Sequence, residues 1–330
     1  LVAFGSVTFS EDSTINSVLV VPRLVLGTRD GRSWITEILS EGEESISADF
    51  LTQPSTYRAN EKLKFFDGAM SAELFLSQAE AAIEKIRAGR IQKVVLARDI
   101  VAQLPTGFDL RTSLRNLAVR YPSCWVYSVA GNFGASPELL VRVSHGQVSA
   151  RVLAGTAARG TNDDTDKEIA ARLLVSEKNL HEHQFAVDSM VQELSPFCTT
   201  VDTDEKPFTL ALPDVWHLAS DVYGKLKKNI SVLDLAAYLH PTAAVAGTSR
   251  KAAQDLIHEL EPFDRGGYAG PVGWIGADGD GEWAIAIRGG FIEQSVVTAF
   301  AGCGLVSESD PQDELAETEL KFAPIRGALS

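Results

Sequence analysis

The strongest constraint on this chain is a turn. Two alternating apolar runs, 270–276 and 282–288, flank Asp278-Gly279-Asp280-Gly281. Gly and Asp at such positions supply the left-handed backbone of a tight reversal, so the runs pair as an antiparallel hairpin. Further Val/Ile/Leu-rich stretches read as strands at 17–26, 33–38, 91–102, 124–130, 138–143, 147–153 and 294–301. A helix is expected over 71–88, with Phe75, Ala79, Ala82, Ile83 and Ile86 on one face and Gly89 ending it. The longest helix is expected over 164–194, capped by Asp163 or Asp164, with Ile169, Leu173, Leu180, Val187, Val191 and Leu194 as its stripe. Helices also suit 232–238, 249–260 and 311–322, the last opened by Pro311 behind Ser309 or Asp310. Hairpins dominate over β-α-β alternation, which predicts an α+β layer fold. With no repeat or linker-like stretch, residues 1–330 read as one large domain whose first 75 residues are the least legible.

Net charge is −14, which argues against nucleic acid or an anionic membrane as partner. An anionic substrate would need local positive charge, and a divalent cation would supply it. No run of about 18 apolar residues is present to span a membrane. The first residues carry no basic-then-apolar leader, although the chain begins at Leu1. Cys124, Cys198 and Cys303 are odd in number, widely spaced and without a CxxC pair. That predicts neither a disulfide framework nor a zinc knuckle, and places the chain in a reducing cytoplasm.

Taken singly, the local motifs are ambiguous. His181-Glu182-His183 looks like a zinc site, but the second His of a metalloprotease helix would fall at Phe185. Histidines two apart on a helix diverge, and Glu182 reads equally as a solvated carboxylate. Asp278–Gly281 is too short for a calcium loop. Gly302-Cys303-Gly304 is half a dinucleotide fingerprint, though its glycines let backbone N–H groups approach an anion. Glu314, Glu317 and Lys321 share one helix face by spacing, either as a solvated face or around a hard cation. Lys93 lies in a strand on one face with Val95 and Ala97, either as an edge charge or as a buried amine whose pKa is lowered.

In combination the segments resemble the chorismate-utilising enzymes, the group that includes isochorismate, salicylate, anthranilate and aminodeoxychorismate synthases. The matching pieces stand in the family's order: KVVLAR at 93–98, FGASPELL at 133–140, LAGTAAR at 153–159, SEKNLHEH at 176–183 and WHL at 216–218. LHPTAAVAG at 239–247, EPFDR at 261–265, GWIG at 273–276, Ile287-Arg288, AGCG at 301–304 and DPQDELAETELK at 310–321 follow. The match runs from roughly 75 to 325. The resemblance implies large antiparallel sheets forming a sandwich-like core with helices packed outside. It also implies magnesium held by Glu182, Glu317 and Glu314, neutralising a ring carboxylate. Arg288 matches the residue that clamps the side-chain carboxylate. Gly155, Thr156, Gly302, Gly304 and Lys321 match the surrounding substrate-binding positions, and His217 a histidine near the ring. Lys93 matches a general base for water, and Glu138 a general acid for the departing hydroxyl, roles that need opposed pKa shifts.

Within the family, relatives using ammonia lack a lysine at the position of Lys93. Lysine there implies water as nucleophile, hence isochorismate formation with no amidotransferase subunit; enzymes of this resemblance often work as monomers. Salicylate synthase, which adds pyruvate elimination, carries a threonine where this chain has Ala244. Ala243 stands where a proline is usual. A catalytically inactive chorismate-binding protein is the alternative from another class, and every catalytic position being filled argues against it.

Overall fold

Every strand pairing among the described residues of this computed structural model is antiparallel. The structure describes residues 1–46, 56–228 and 230–330, with the side chains of Lys178 and Glu182 outside the description. The chain opens with β1 (Val2–Ser6), β2 (Val18–Val20), β3 (Leu24–Arg29), β4 (Arg32–Glu37) and β5 (Phe66–Asp67). Helix α1 (Ala72–Arg87), strand β6 (Lys93–Gln103), α2 (Leu110–Arg120), β7 (Trp125–Val129) and β8 (Asn132–Ser136) follow. Next come β9 (Leu139–Ser144), β10 (Gln147–Ala158), α3 (Asp163–Val175), α4 (Glu177–Leu194), β11 (Cys198–Thr203), β12 (Phe208–Ala211) and β13 (Val215–Leu226). The chain closes with α5 (Val232–Leu239), β14 (Gly247–Thr248), α6 (Arg250–Leu260), β15 (Pro271–Gly276), β16 (Gly281–Ile285), β17 (Gly289–Glu293), β18 (Val296–Leu305) and α7 (Pro311–Ala328).

One nine-stranded sheet runs β11-β13-β10-β9-β16-β15-β1-β2, with β12 also on β13. A seven-stranded sheet runs β14-β6-β18-β17-β8-β7, with β5 on β6, and β3–β4 form a separate hairpin. The largest apolar cluster takes Leu96 and Phe300 from the second sheet and Val141, Val152 and Trp283 from the first. The two sheets thus share a core, the α+β sandwich expected. Helix α1 closes on it with Phe75, Ala79, Ala82, Ile83 and Ile86, the predicted stripe. Ser71 caps α1, accepting from Leu74 N at 3.2 Å.

Several boundaries differ from the sequence expectation. The helix expected over 164–194 is two helices. Ser176 is extended, ends α3, and accepts from Asn179 N to start α4. Asn162, rather than Asp163 or Asp164, caps α3 through a capping box with Thr165. The strand expected over 17–26 splits between two sheets at Pro22, and 282–288 breaks after Ile285. Helix α7 continues past Phe322 to Ala328, accommodating Pro324.

A buried ion pair completes an incomplete sheet edge. β14 pairs with β6 only at Gly247↔Val94 and Thr248↔Lys93. Beyond that, Glu261 Oε1 accepts from Ala97 N at 2.8 Å, and Arg265 Nη2 donates to Val95 O at 2.8 Å. Arg265 Nη1 also donates to Val245 O at 2.9 Å, and its partner Glu261 is as deeply buried. Arg265→Ala would strand a buried carboxylate and two carbonyls, so urea unfolding should show a loss of about 3–5 kcal/mol. A loss below about 1 kcal/mol would show that the edge does not depend on this pair.

Candidate active site

Two of the chain's crossings between the two sheets lie side by side, and each carries a candidate site residue. β8 of the seven-stranded sheet ends at Ser136 and β9 of the nine-stranded sheet begins at Leu139, leaving Pro137 and Glu138 between them. β16 ends at Ile285 and β17 begins at Gly289, with Arg288 at the crossing in a left-handed conformation, φ 55°. That region is costly for a residue with a Cβ, and strain of this kind collects at functional sites. The crossings bond each other: Ile285 N donates to Glu138 O at 3.1 Å, and Ala135 N to Arg288 O at 3.3 Å.

Around them lies a cavity of about 350 Å³. It is lined by Lys93 from β6, Gly155 and Thr156 from β10, His217 from β13, Ala244, and Gly302 and Gly304 from β18. Glu314, Glu317 and Lys321 reach it from α7, and Glu138 and Arg288 from the crossings. The sequence-predicted site residues are therefore brought together, with one exception: the side chain of Glu182 lies outside the described residues. Tyr268, Asn179 and Phe300 also line the cavity, and the sequence did not single them out as site residues. Asn179 lies inside the SEKNLHEH motif and Phe300 directly before AGCG, while Tyr268 has no motif of its own; the packing turns all three to the cavity.

Three glycines serve this geometry. The pairing of β10 with β13 shifts register between Ala154 and Thr156, and Gly155 supplies the bulge at φ +79°. A Cβ on Gly304 would stand 2.8 Å from Lys93 Cε, so this glycine leaves room for the lysine chain. A Cβ on Gly302 would stand 3.0 Å from Leu96 O and 3.1 Å from Tyr268 Oη.

Hydrogen bonds fix the state of His217. Arg288 Nη2 lies 3.0 Å from Nε2 and can only donate, so Nε2 accepts. The proton then sits on Nδ1, 3.0 Å from Thr156 Oγ1. Burial, reinforced by Arg288 and Lys321, holds the imidazole neutral, well below its usual range. Arg288 itself is buried, and among the described residues no carboxylate lies within ion-pair distance of it. A guanidinium in that position favours a carboxylate brought from outside.

The carboxyl groups differ in state. Burial pushes Glu138 up to about 7, against the pull of Arg288, Lys93 and Lys321. Burial and then the charge of Glu317 raise Glu314, which accepts from Ser309 Oγ at 2.8 Å. Glu317 is also pushed up by burial, but Lys321 at 2.5 Å, with Arg288 and Lys93, brings it below the usual range. Lys321 also donates to Gly302 O at 2.8 Å, tying α7 to β18. Two half-buried carboxylates three residues apart are a donor set that suits a hard divalent cation. Among the described residues no group of three or more His, Cys, Asp or Glu side chains converges as a metal site. His183 turns into the core and bonds Ser220 Oγ at 2.9 Å, and Asp278–Gly281 forms the turn.

A raised carboxyl is a penalty on folding that grows with pH. Between pH 4.5 and about 7 the unfolded Glu138 ionises while the folded one does not. Glu138→Gln should therefore stabilise the fold by about 3 kcal/mol at pH 8 and by less than about 1 kcal/mol at pH 5. Urea midpoints at the two pH values measure this, and an equal gain at both would refute the raised pKa.

Residues 6–330 match the family described as chorismate binding enzyme. Isochorismate synthase MenF of Bacillus subtilis (strain 168) is 34% identical over 315 residues, covering 94% of this chain and 66% of that protein. The chain thus spans about two thirds of that relative's length. Among solved structures, MenF, the menaquinone-specific isochorismate synthase from Escherichia coli, superposes with a TM-score of 0.86 at 26% identity, covering 100% of this chain and 79% of that one. Anthranilate synthase component I from Streptococcus pneumoniae TIGR4 superposes at 0.84 with 27% identity, covering 98% and 80%. With the sheets, the crossings and this match in agreement, the chain belongs to the chorismate-binding enzyme family.

Proposed function

We propose that the protein is an isochorismate synthase, an isomerase that moves the hydroxyl of chorismate from C4 to C2. The observation that carries this reading is Lys93 and Glu138 facing one cavity beside Arg288 and Lys321. Chorismate has two carboxylates, and those cations offer local positive charge inside a chain of net charge −14. The names of the relatives point the same way.

In this reading Lys93, in its neutral form, takes a proton from water as the water adds at C2. Glu138, whose pKa burial raises to about 7 so that a large share of it keeps its proton at neutrality, gives that proton to the hydroxyl leaving C4, and the ring double bonds shift between. One proton is taken and one given, so the reaction balances. Each such transfer contributes roughly 10²–10⁴-fold in rate. Arg288 holds the side-chain carboxylate, and neutral His217 is kept in place by Arg288 and Thr156. Glu314, Glu317 and Glu182 would hold magnesium, which supplies charge neutralisation at the ring carboxylate. The pair Glu314 and Glu317 fits it, since the charge of one raises the pKa of the other and a cation would relieve both.

A lysine base serves water and not ammonia, so no ammonia-supplying subunit is needed. Ala244 lines the cavity where the resemblance places threonine in salicylate synthases, which favours stopping at isochorismate. Product analysis after incubation with chorismate and magnesium separates isochorismate from salicylate plus pyruvate. Lys93→Ala should lower turnover by at least about 10²-fold while chorismate still binds by calorimetry. Wild-type turnover in that variant would sink the mechanism. Glu317→Gln should raise the magnesium concentration giving half-maximal rate by about tenfold or more. An unchanged magnesium titration would remove Glu317 from the metal site.

A further inference from the structure

Glu138 faces a second, smaller cavity behind the first. Glu138 and Ala244 line both, so they form the wall between them. The rear cavity is also lined by Thr242 and by Ser189, Met190 and Glu193, which follow one face of α4. Its volume is about 10 Å³, the room that one water needs.

Its polar groups are few and unusually placed. Thr242 Oγ1 is buried without a hydrogen-bond partner among the described residues. A buried hydroxyl left unpaired costs free energy, and a water in this cavity would satisfy it. Glu193 is paired with Arg250 at 2.7 Å, hydrogen-bonded to Ser189 and partly open to solvent. Burial raises its carboxyl, as it does that of Glu138, which brings the two acids toward one range. A water here would have Thr242 and the two carboxyl groups as partners, within the number a buried water makes.

Resting on the reading of Glu138 as the general acid, we propose that Thr242 holds a water linking Glu138 to Glu193. This water is the route by which Glu138 regains its proton between turnovers. The balance is simple. Each turnover leaves Glu138 a carboxylate and Lys93 an ammonium. The water gives one proton to Glu138 and takes one from Glu193, which is refilled from solvent. Lys93 returns its own proton through the front cavity. Substrate occupying the front cavity then does not block the resetting of the acid.

Rapid-quench kinetics with saturating chorismate and magnesium test this. Thr242→Val keeps the shape and removes the hydroxyl. It should give a burst of about one product per site at the wild-type rate, then a steady state about tenfold slower with KM changed less than about twofold. Thr242→Ser should restore the steady state, and Glu193→Gln should reproduce the burst. If the valine variant does not fold, Glu193→Gln decides alone. Wild-type steady-state turnover in both variants overturns the proposal. So does a first turnover slowed as much as later ones, since that reports site geometry and not proton return. Glu138→Gln separates the two readings: full activity there fails the general-acid assignment itself. An inactive Glu138→Gln beside a wild-type-like Thr242→Val and Glu193→Gln fails only the rear route.

Discussion

The site depends on the chain passing from one sheet to the other at two adjacent places. Glu138 and Arg288 occupy those crossings, and backbone hydrogen bonds between the crossings hold them together. A residue inside a sheet has its orientation fixed by the pleat; one at a crossing can point between the layers. This puts an acid and a cation into the same buried space. Burial then raises the acid, and the cation only partly offsets it. Arg288 pays for its place with a left-handed backbone.

The other groups are brought in by flatter elements. Lys93 begins β6, the strand that also carries Arg98, bonded to Asp67 and to Glu319 of α7. The strand of the proposed base and the helix of the proposed metal ligands are therefore tied by one buried arginine. Glu261 and Arg265 secure the opposite edge of β6 and the loop leading to Ala244. Ion pairs of this kind are weak sources of net stability, because desolvation offsets their attraction. Their value here is geometric: each spends hydrogen bonds on backbone that lies beside the cavity.

In the proposed mechanism the cavity and its rear annex would keep a carboxylic acid in use. A group held protonated by burial is by that fact cut off from water, so its proton has to be supplied along a defined path. The front cavity is one path, and in the proposed function the substrate would occupy it. In the proposed route Thr242 and Glu193 would offer another, lined by residues behind the front cavity.

The antiparallel character of the fold is legible in the chain's turns and in its lack of β-α-β alternation. So is the α1 stripe, because helical periodicity is local and survives tertiary packing. The ordered motifs carried the site residues, Lys93 and Glu138 among them, although each was ordinary in isolation. Other features depend on contacts made only once the chain has folded. The break at Ser176 and the split strands come from competing side-chain caps and sheet membership, which hydrophobic periodicity does not encode. The neutral state of His217 comes first from burial, and its tautomer rests on Arg288 and Thr156, which lie 71 and 61 residues away along the chain. The raised pKa of Glu138 likewise comes from burial between sheets. A pKa shift is set by dielectric and by charges in space, and neither exists until the chain has folded.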